Sequence, residues 1–492
     1  MKRFLNLPVV LLVFLLFSCS SSHSSNDSDM IPDDKDFEAQ DDDSDSQEPD
    51  SDDEEPNEST EEIFEKTEPI NGYARCYDEI PDDPYEGFFA NPKIEYWVKD
   101  SLGYDRDYEL KEEDLEKVTE MGLPFKDIRG IEKLVNLESV TFFNTGGNVY
   151  DFTPLSKLKK LKNLRISFSS PEEINPNEEF INMTCLDGSF SLLTNLESLR
   201  INYTELKDVS PIEQLVNLKS LDLAYNKIES LPKNIGNLQK LEFLNFMKNK
   251  VNDIIVLKSL INLKGLFFHN NYVKDISPIA DLVNLNSLGG DDNGIKDISP
   301  ITNLLNLTYL RLDTNQIEEL PEKIGNLKKL KEIQLGFNKI SRLPPLIGLK
   351  SIEKLDLSHN ELDDTALLQL DGLEKLVFLY VAVNKKITKV PVMKNLKSLQ
   401  ELYLNYNSIT DLSGFADNDS FPALRRLDIG SNKISNAEAL RKREGLTRVS
   451  IGKNCIQDLS PLEELKERGT YISGMNEQLE SCENTITLGD GE

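Results

Sequence analysis

The stretch Leu218-Lys-Ser-Leu221-Asp-Leu223-Ala-Tyr-Asn226-Lys-Ile228 decides the fold of this chain. A second copy reads Leu307-Thr-Tyr-Leu310-Arg-Leu312-Asp-Thr-Asn315-Gln-Ile317. The alternation around Leu221 and Leu223 is that of a short strand with one buried face, so the leucines point inward and the residues between them point outward. Asn226 follows where the chain leaves the strand. Its amide can satisfy turn backbone groups that would otherwise be buried without a partner.

The pattern recurs fourteen times, mostly at intervals of 22 or 23 residues. Its first apolar position falls at Leu137, Leu161, Leu196, Leu218, Leu241, Leu263, Leu285, Leu307, Leu330, Ile352, Leu376, Leu399, Leu424 and Leu446. The Asn position holds Asn in the last eleven copies, whereas the first three carry Thr145, Ser169 and Thr204. One copy cannot bury its own apolar face, so a repeat of this length predicts stacked units that share a continuous core.

This consensus resembles the leucine-rich repeat, and the connectors between copies are of two kinds. One reads Asp275-Ile-Ser-Pro278-Ile and resembles the short repeats of internalins and related bacterial proteins, whose convex side carries 3₁₀ turns. The other, Leu231-Pro-Lys-Asn-Ile-Gly236-Asn-Leu, resembles the repeats of Ras-suppressor-type proteins. The resemblance implies an α/β leucine-rich-repeat solenoid, a horseshoe with parallel strands on the concave face and 3₁₀ or short helical turns on the convex face.

Residues 1–19 have the composition of a secretory signal segment. Lys2 and Arg3 precede an apolar stretch from Leu5 to Phe17, which is short for a membrane span. The segment ends in Leu16-Phe17-Ser18-Cys19, which resembles a bacterial lipobox. That resemblance implies cleavage before Cys19 and lipidation of its thiol. An ordinary signal peptide with an incidental cysteine is the alternative.

Residues 20–69 are dominated by Ser, Asp, Glu and Pro. Between 24 and 69 there are 21 acidic residues against Lys35 and Lys66, which gives −19 of the −31 formal charge of the whole chain. Such a segment cannot bury enough apolar surface to fold, so we predict a disordered acidic tether.

Residues 70–133 lack the repeat and predict an N-terminal cap. The stretches from Phe88 to Leu102 and from Leu110 to Val118 read as two amphipathic helices. Their order before the first repeat resembles the helical cap of internalin-like proteins, which covers the exposed edge of the first strand. Trp97 lies in the first helix and is interpreted as a core residue. The repeats then occupy 134–457, and a C-terminal cap and tail occupy 458–492.

Four cysteines remain once Cys19 is assigned to the lipid, and four allow three pairings. An exported protein can keep disulfides. Cys455 follows the last repeat Asn and Cys482 lies just past a predicted final strand at Tyr471-Ile472, so we expect these two to pin the C-terminal cap. The remaining pair is Cys76 with Cys185.

The outward strand positions carry many aromatic residues, which are typical of recognition surfaces. We predict that a ligand is bound by Phe168, Tyr203, Tyr225, Phe267, His269, Tyr309, Phe337, His359, Tyr380, Tyr403 and Tyr406. The structural alternative is that aromatic residues simply suit strands and stack on one another along the solenoid. Arg165 and Arg200 are expected in one outward column, with Asp222 next to them.

The sequence contains none of the catalytic patterns GxxxxGK[ST], HExxH, GxSxG or CxxC. Two of its three histidines, His269 and His359, are four repeats apart, too far to share a metal ion. We therefore predict no enzymatic activity, no cofactor and no metal. The negative net charge disfavours nucleic acid as a partner.

These features together predict a monomeric, lipid-anchored protein of a bacterial cell envelope, at the outer membrane or the cell surface. Its solenoid would bind a protein or glycan ligand on the concave face, and adhesion is one such role. The alternative is a scaffold that organises other envelope proteins. The two differ in what binds: a soluble or host ligand for the first, a stoichiometric envelope partner for the second.

Overall fold

A computed structural model describes residues 87–123, 127–143, 151–167, 183, 185–417 and 419–484. Within these ranges sixteen strands form one sheet in which every neighbouring pair is parallel and the strand order follows the chain. The strands are β1 Glu120–Leu123, β2 Ser139–Phe142, β3 Asn163–Ser167, β4 Ser198–Asn202, β5 Ser220–Asp222, β6 Phe243–Asn245, β7 Gly265–Phe267, β8 Ser287–Gly289, β9 Tyr309–Arg311, β10 Glu332–Gln334, β11 Lys354–Asp356, β12 Phe378–Tyr380, β13 Glu401–Tyr403, β14 Arg426–Asp428, β15 Arg448–Ser450 and β16 Tyr471–Ser473. The predicted leucine-rich-repeat solenoid is confirmed.

Each of the fourteen repeats contributes one of the strands β2 to β15, and one further strand lies at each end. The leucines of the pattern are completely buried; Leu221 and Leu223, for example, have no exposed surface. Because each strand pairs only with its sequence neighbours, the core is a single apolar column that runs the length of the sheet.

The connectors return along the convex side mainly as short 3₁₀ helices. These are Ile131–Lys133, Gly188–Leu192, Ser210–Gln214, Ile235–Asn237, Ile255–Ser259, Ser277–Ile279, Ser299–Asn303, Glu322–Asn326, Leu368–Leu370, Ser413–Phe415, Glu438–Leu440, Met475–Glu477 and Cys482–Asn484. In the Asp-Ile-Ser-Pro connector, the Asp275 carboxylate accepts a hydrogen bond of 2.7 Å from the backbone N–H of Ser277. The aspartate thus satisfies a free N–H at the start of the turn, and Pro278 follows where no N–H is needed.

The repeat asparagines form a continuous hydrogen-bonded ladder. The Asn249 side-chain amide donates to the carbonyls of Phe246 and Leu223, both at 2.9 Å, and its oxygen accepts from the N–H of Ile228 at 2.9 Å. One side chain therefore ties its own turn to the preceding repeat. The same bonds recur at Asn271, Asn315, Asn338, Asn360, Asn384, Asn407, Asn432 and Asn454.

A second set of asparagines, which sequence reasoning missed, precedes several strands: β2, β5, β7, β8 and β9. Asn262 and Asn284, for example, donate to the carbonyls of Gln239 and Ile261, at 2.8 and 2.9 Å. The Asn-Leu dipeptide at the start of these copies could have predicted the set. These bonds join consecutive repeats at the other end of the strand from the first ladder, so these strands are held in register at both ends.

The N-terminal cap contains helix α1, Pro92–Leu102, as predicted, with Asn91 capping its first turn. Ile94 and Val98 bury its apolar face. The second predicted helix is reduced to the single turn α2, Glu112–Leu115, and it leads directly into β1. Sequence reasoning missed this strand, although the alternation of Met121 and Leu123 was a signal for it.

The remaining helices are α3 Thr153–Ser156, α4 Asp364–Leu367 and α5 Ser460–Glu467. Across the described ranges, none of the helices has the length and apolar character needed to cross a membrane. At the C-terminal end α5 precedes β16, and a disulfide joins Cys455 to Cys482 with their Cα atoms 5.2 Å apart. This is the pair that the sequence analysis assigns to the C-terminal cap.

Candidate ligand-binding surface

The parallel register places one residue of each repeat in a common column across the sheet. Arg165 pairs with Arg200 and Arg200 with Asp222, so the column expected from the sequence is present. Further along the same column lie Phe267, Tyr380 and Tyr403. A residue in this column contacts side chains about 22 positions away in sequence, and those contacts decide whether it can reach a ligand.

Five of the predicted ligand residues lie in the left-handed turns that follow the strands. They are Tyr203, Tyr225, Phe337, His359 and Tyr406, which each precede the repeat Asn position and have φ between 54° and 58°. The strand ends one residue before Tyr203 and three residues before each of the other four, and the chain turns there because the Asn ladder holds the turn. These aromatic rings therefore form a row along the rim of the sheet, and their assignment to strand positions was wrong. A left-handed backbone is unfavourable for such side chains, so the surrounding ladder imposes it.

Two predicted ligand residues are buried rather than open to water. Phe267 is 6 % exposed and His269 is 5 % exposed. The neighbouring strand provides the space: a Cβ at Gly289 would lie 2.5 Å from the His269 ring and 2.9 Å from the Phe267 ring. Glycine at this position lets both rings lie flat against the sheet. Their expected role in direct contact with a ligand is not supported by this burial.

The middle of the concave face is a closed polar cluster. The Arg311 guanidinium lies 2.5 Å from the Asp291 carboxylate and 3.2 Å from that of Asp313, and the His269 Nδ1 atom accepts from the Asp291 N–H at 3.1 Å. Burial, with the Asp291 charge beside it, raises the pKa of Asp313 to about 7. Burial likewise raises the pKa of Tyr309, the predicted ligand residue beside Arg311. The Arg311 charge is therefore paired within the cluster, whereas the negative charge of Asp313 is disfavoured beside Asp291.

The C-terminal third of the face presents an aromatic and cationic surface. The rings of Tyr380 and Tyr403 stack in parallel, with centroids 4.5 Å apart and planes 10° apart. The Arg426 guanidinium lies 5.1 Å above the Tyr403 ring, and the Tyr403 hydroxyl donates to Glu401 at 2.6 Å. Burial is the main cause of a raised pKa at both tyrosines. These side chains are half-buried and held in place, so they form a rigid platform.

Two stacked pairs lie on the rim. Phe337 is 56 % exposed, and its ring stacks on His359 with centroids 3.8 Å apart. Tyr203 stacks on Tyr225 at 4.3 Å. Burial lowers the pKa of His359, so this ring is neutral near pH 7 and stacks as an uncharged group. The stacking alternative considered from the sequence therefore holds for these pairs, but Phe337 still exposes one face.

Sequence reasoning missed several side chains of the concave face. Arg426 and Arg448 occupy the outward position at the start of adjacent strands, and Arg448 lies 5.3 Å from the ring of Tyr471. Trp97 was interpreted as a core residue, which is wrong: it is 37 % exposed and contacts Phe143 beside the first strands. The signal for the arginines was their column position, whereas nothing local distinguishes Trp97 from a core residue.

Some predicted residues fall outside the described ranges, namely Cys19, Cys76 and Phe168. Cys185 is disulfide-bonded, and its partner is not among the described residues. Over the described residues, no group of three or more His, Cys, Asp or Glu side chains could hold a metal ion.

Models of the leucine-rich repeat match 194–235 and 397–442 in a two-copy form, and 305–362 in a second form. The fold is similar to that of an internalin, InlF, from Listeria monocytogenes, at 24 % identity and a TM-score of 0.55, covering 78 % of this chain and 96 % of that one. It is also similar to a leucine-rich-repeat protein of Leptospira interrogans, at 24 % identity and a TM-score of 0.58, covering 74 % and 99 %. The chain contains leucine-rich repeats, and its solenoid fold is similar to that of these internalins and related bacterial proteins.

A third similar structure is the functional domain of the L. monocytogenes internalin InlJ, at 19 % identity and a TM-score of 0.55, covering 77 % of each chain. Among curated proteins, an adenylate cyclase of Schizosaccharomyces pombe is 43 % identical over 70 residues. The match covers 14 % of this chain and only 4 % of the cyclase, so it concerns the repeat and not the cyclase as a whole. These likenesses establish the fold and the repeat.

Proposed function

We propose that this protein is a non-enzymatic surface lipoprotein of a bacterial envelope, anchored through Cys19, which captures a protein ligand on the C-terminal third of its concave face. The stacked Tyr380–Tyr403 pair with Arg426 above it carries the proposal. Tyrosine and arginine are the residue types enriched at binding hot spots, and a preorganised pair loses little conformational freedom when a partner docks.

The central polar cluster favours this placement over a site in the middle of the face. Arg311 is already paired with two carboxylates, and Phe267 and His269 are buried against glycine. A ligand that docked there would have to displace satisfied ion pairs, which costs free energy. The tyrosine platform carries one looser ion pair, in which the Arg426 guanidinium lies 3.7 Å from the Glu401 carboxylate.

The binding surface is tested by photo-crosslinking from defined positions. A photoreactive aromatic amino acid replaces Tyr403 in the full-length protein, and a matched control carries it at Lys328, an exposed position before β10. Both proteins are produced in intact cells, alone and mixed with neighbouring bacterial or host cells. We expect a discrete protein adduct from position 403 and none from 328. Equal adducts from both positions, or none from either, would contradict a concave-face site.

The location of the solenoid is tested by protease treatment of intact cells followed by blotting for the repeat domain. Loss of the domain supports exposure at the cell surface. Full protection places it inside the envelope, where the scaffold alternative becomes the better account. Replacement of Cys19 by Ser tests the anchor: incorporation of labelled palmitate should be lost, and persistent incorporation would rule out Cys19 as the lipidated residue.

A further inference from the structure

The N-terminal end of the concave face contains an open cleft between the cap and the first strands. Helix α1 forms one wall with Trp97 and Ser101, and strands β1 and β2 form the other with Met121, Ser139 and Thr141. The cleft has a volume of about 350 Å³. It is therefore large enough for one or two rings of a small ligand.

Aromatic side chains form the apolar part of this cleft. Trp97 is 37 % exposed, and its ring lies 5.7 Å from the ring of Phe143. Gly122 makes the arrangement possible, because a Cβ there would lie 2.9 Å from the Phe143 ring. The exposed indole face is thus held by the cap on one side and by the sheet on the other.

A cation lies next to the cleft. The register of the sheet puts Arg165 directly beside Thr141 on one side and Arg200 on the other. Arg200 is paired with Asp222 at 3.0 Å. For Arg165, no carboxylate of the described residues lies within ion-pair distance. Burial and the neighbouring Arg200 charge lower the pKa of Arg165, so its charge is poorly compensated and an anion would stabilise it.

The outward side chains around Arg165 are mostly short hydroxyls and amides. They are Ser139 and Thr141 in β2, Asn163 in β3 and Ser198 in β4. Serine and threonine are under-represented at protein hot spots, which rely on large anchors. Short hydroxyl and amide groups instead match the dense hydroxyls of a sugar, since each can both donate and accept. An indole face packs against the apolar face of a sugar ring.

We propose that this end of the concave face binds an acidic oligosaccharide, with one sugar ring on Trp97 and a carboxylate on the Arg165 guanidinium. Asp100 and Glu120 also line the cleft, where their carboxylates would accept hydrogen bonds from sugar hydroxyls. The site is separate from the tyrosine platform and does not depend on the protein ligand proposed for it.

Trp97 supplies the measurement, because it is the one tryptophan of the chain. Its fluorescence is followed while the full-length protein is titrated with a galacturonate tetramer, and separately with the fully methyl-esterified tetramer, which has the same sugar rings without the charges. We expect a saturable change in Trp97 fluorescence with the galacturonate tetramer, and added salt should weaken this binding. The methyl-esterified tetramer should bind at least about tenfold more weakly, because it cannot make the charge-assisted hydrogen bond.

The Arg165→Gln variant should bind the acidic tetramer at least about tenfold more weakly than the wild type. The matched variant Arg448→Gln removes an exposed arginine at the other end of the face and should bind the tetramer as the wild type does. Arg165→Gln should fold, since it removes a like charge beside Arg200; a thermal melt checks this. If it fails to fold, Thr141→Val serves instead, and we expect weaker binding of several-fold for the lost hydroxyl.

Three results would overturn the proposal. The first is no saturable change with the acidic tetramer, and the second is unchanged affinity in a folded Arg165 or Thr141 variant. The third is equal or tighter binding of a glutamate tetramer, which would point to an acidic peptide. None of these results affects crosslinking from position 403, so failure of this site and failure of the proposed protein-binding surface can be told apart.

Discussion

The two ends of the concave face use the same backbone for opposite kinds of surface. Near the N-terminus, β2 to β4 present short hydroxyls, amides and Arg165, which makes no ion pair with a carboxylate of the described residues. Near the C-terminus, β12 to β15 present stacked tyrosines beneath arginine. The inward leucines and the asparagine ladder hold both regions, so the outward positions vary without disturbing the fold. Function along this solenoid is therefore local.

The largest expected effect is on the cap that closes the C-terminal end. The Cys455→Ser, Cys482→Ser double variant removes a disulfide that joins residues 27 positions apart in sequence. The chain-entropy model assigns such a bond about 3.5 kcal/mol, and we expect most of this loss in denaturant unfolding. Fluorescence of Trp97 in native buffer should not change, because the N-terminal cap is built separately. If the double variant unfolded with the same curve as the wild type, the disulfide would contribute nothing to stability.

The asparagine ladder that both ends of the concave face share can be tested with one substitution at each end. Asn226→Ala removes an amide that donates to the carbonyls of Ile201 and Leu223, at 2.8 and 2.9 Å. Asn407→Ala removes equivalent bonds to Val381 and Leu404. Each change removes two hydrogen bonds to buried carbonyls and should cost about 1–3 kcal/mol of unfolding free energy. Very different costs at the two sites would mean that the two ends do not share one frame.

The polar cluster of Asp291, Arg311 and Asp313 in the middle of the face should make the stability of the protein depend on pH. The folded pKa of Asp313, about 7, lies above its unfolded value, 3.8, so the unfolded state releases a proton between these values. The contribution of Asp313 to stability is fully present below pH 4 and is lost as the pH rises through 7. Asp313→Asn should remove this loss, which amounts to about 2–3 kcal/mol between pH 5 and pH 8. Denaturant midpoints at pH 5 and pH 8 measure it; an identical pH slope in the variant would contradict the assignment.

The smallest effect concerns the outward side chains themselves. Tyr403→Ala breaks the stack with Tyr380 and should cost about 1 kcal/mol of unfolding free energy. Ser198→Ala, at an outward position near the other end, should change it by less than about 0.5 kcal/mol. Chemical denaturation of both variants compares them directly. If the serine change were the costlier one, the contrast between a rigid platform and an open polar surface would be wrong.

The repeat register made most of the fold predictable. Thirteen spaced leucines and Ile352 located fourteen strands, and the Asp-Ile-Ser-Pro connector indicated the 3₁₀ turns, because both depend on contacts within a few residues. Strand β1 was not predicted, because the cap lacks the repeat pattern that marks the other strands. The cysteine pair Cys76 with Cys185, the lipid on Cys19 and the acidic tether stay predictions.

The candidate site was less predictable, since exposure depends on the neighbouring repeat. Phe267 and Tyr403 occupy the same column, but Gly289 lets one ring lie against the sheet, while Arg426 covers the other only in part. Tyr225 and Phe337 read as strand residues, yet the turn places them on the rim. No local pattern carries this information, because the deciding residue is a full repeat away.

By itself, the sequence determined the solenoid, its inward core and the asparagine ladder, since periodic apolar and amide positions admit one way of satisfying both burial and hydrogen bonding. Only the tertiary structure decided which outward side chains remain available. It closed the centre of the face by pairing Arg311 with Asp291 and Asp313, stacked Tyr380 on Tyr403, and brought Trp97 of the cap beside the strand that precedes Arg165. The physical reason is that side-chain exposure is set by packing between repeats, whereas the repeat itself is set by burial within them.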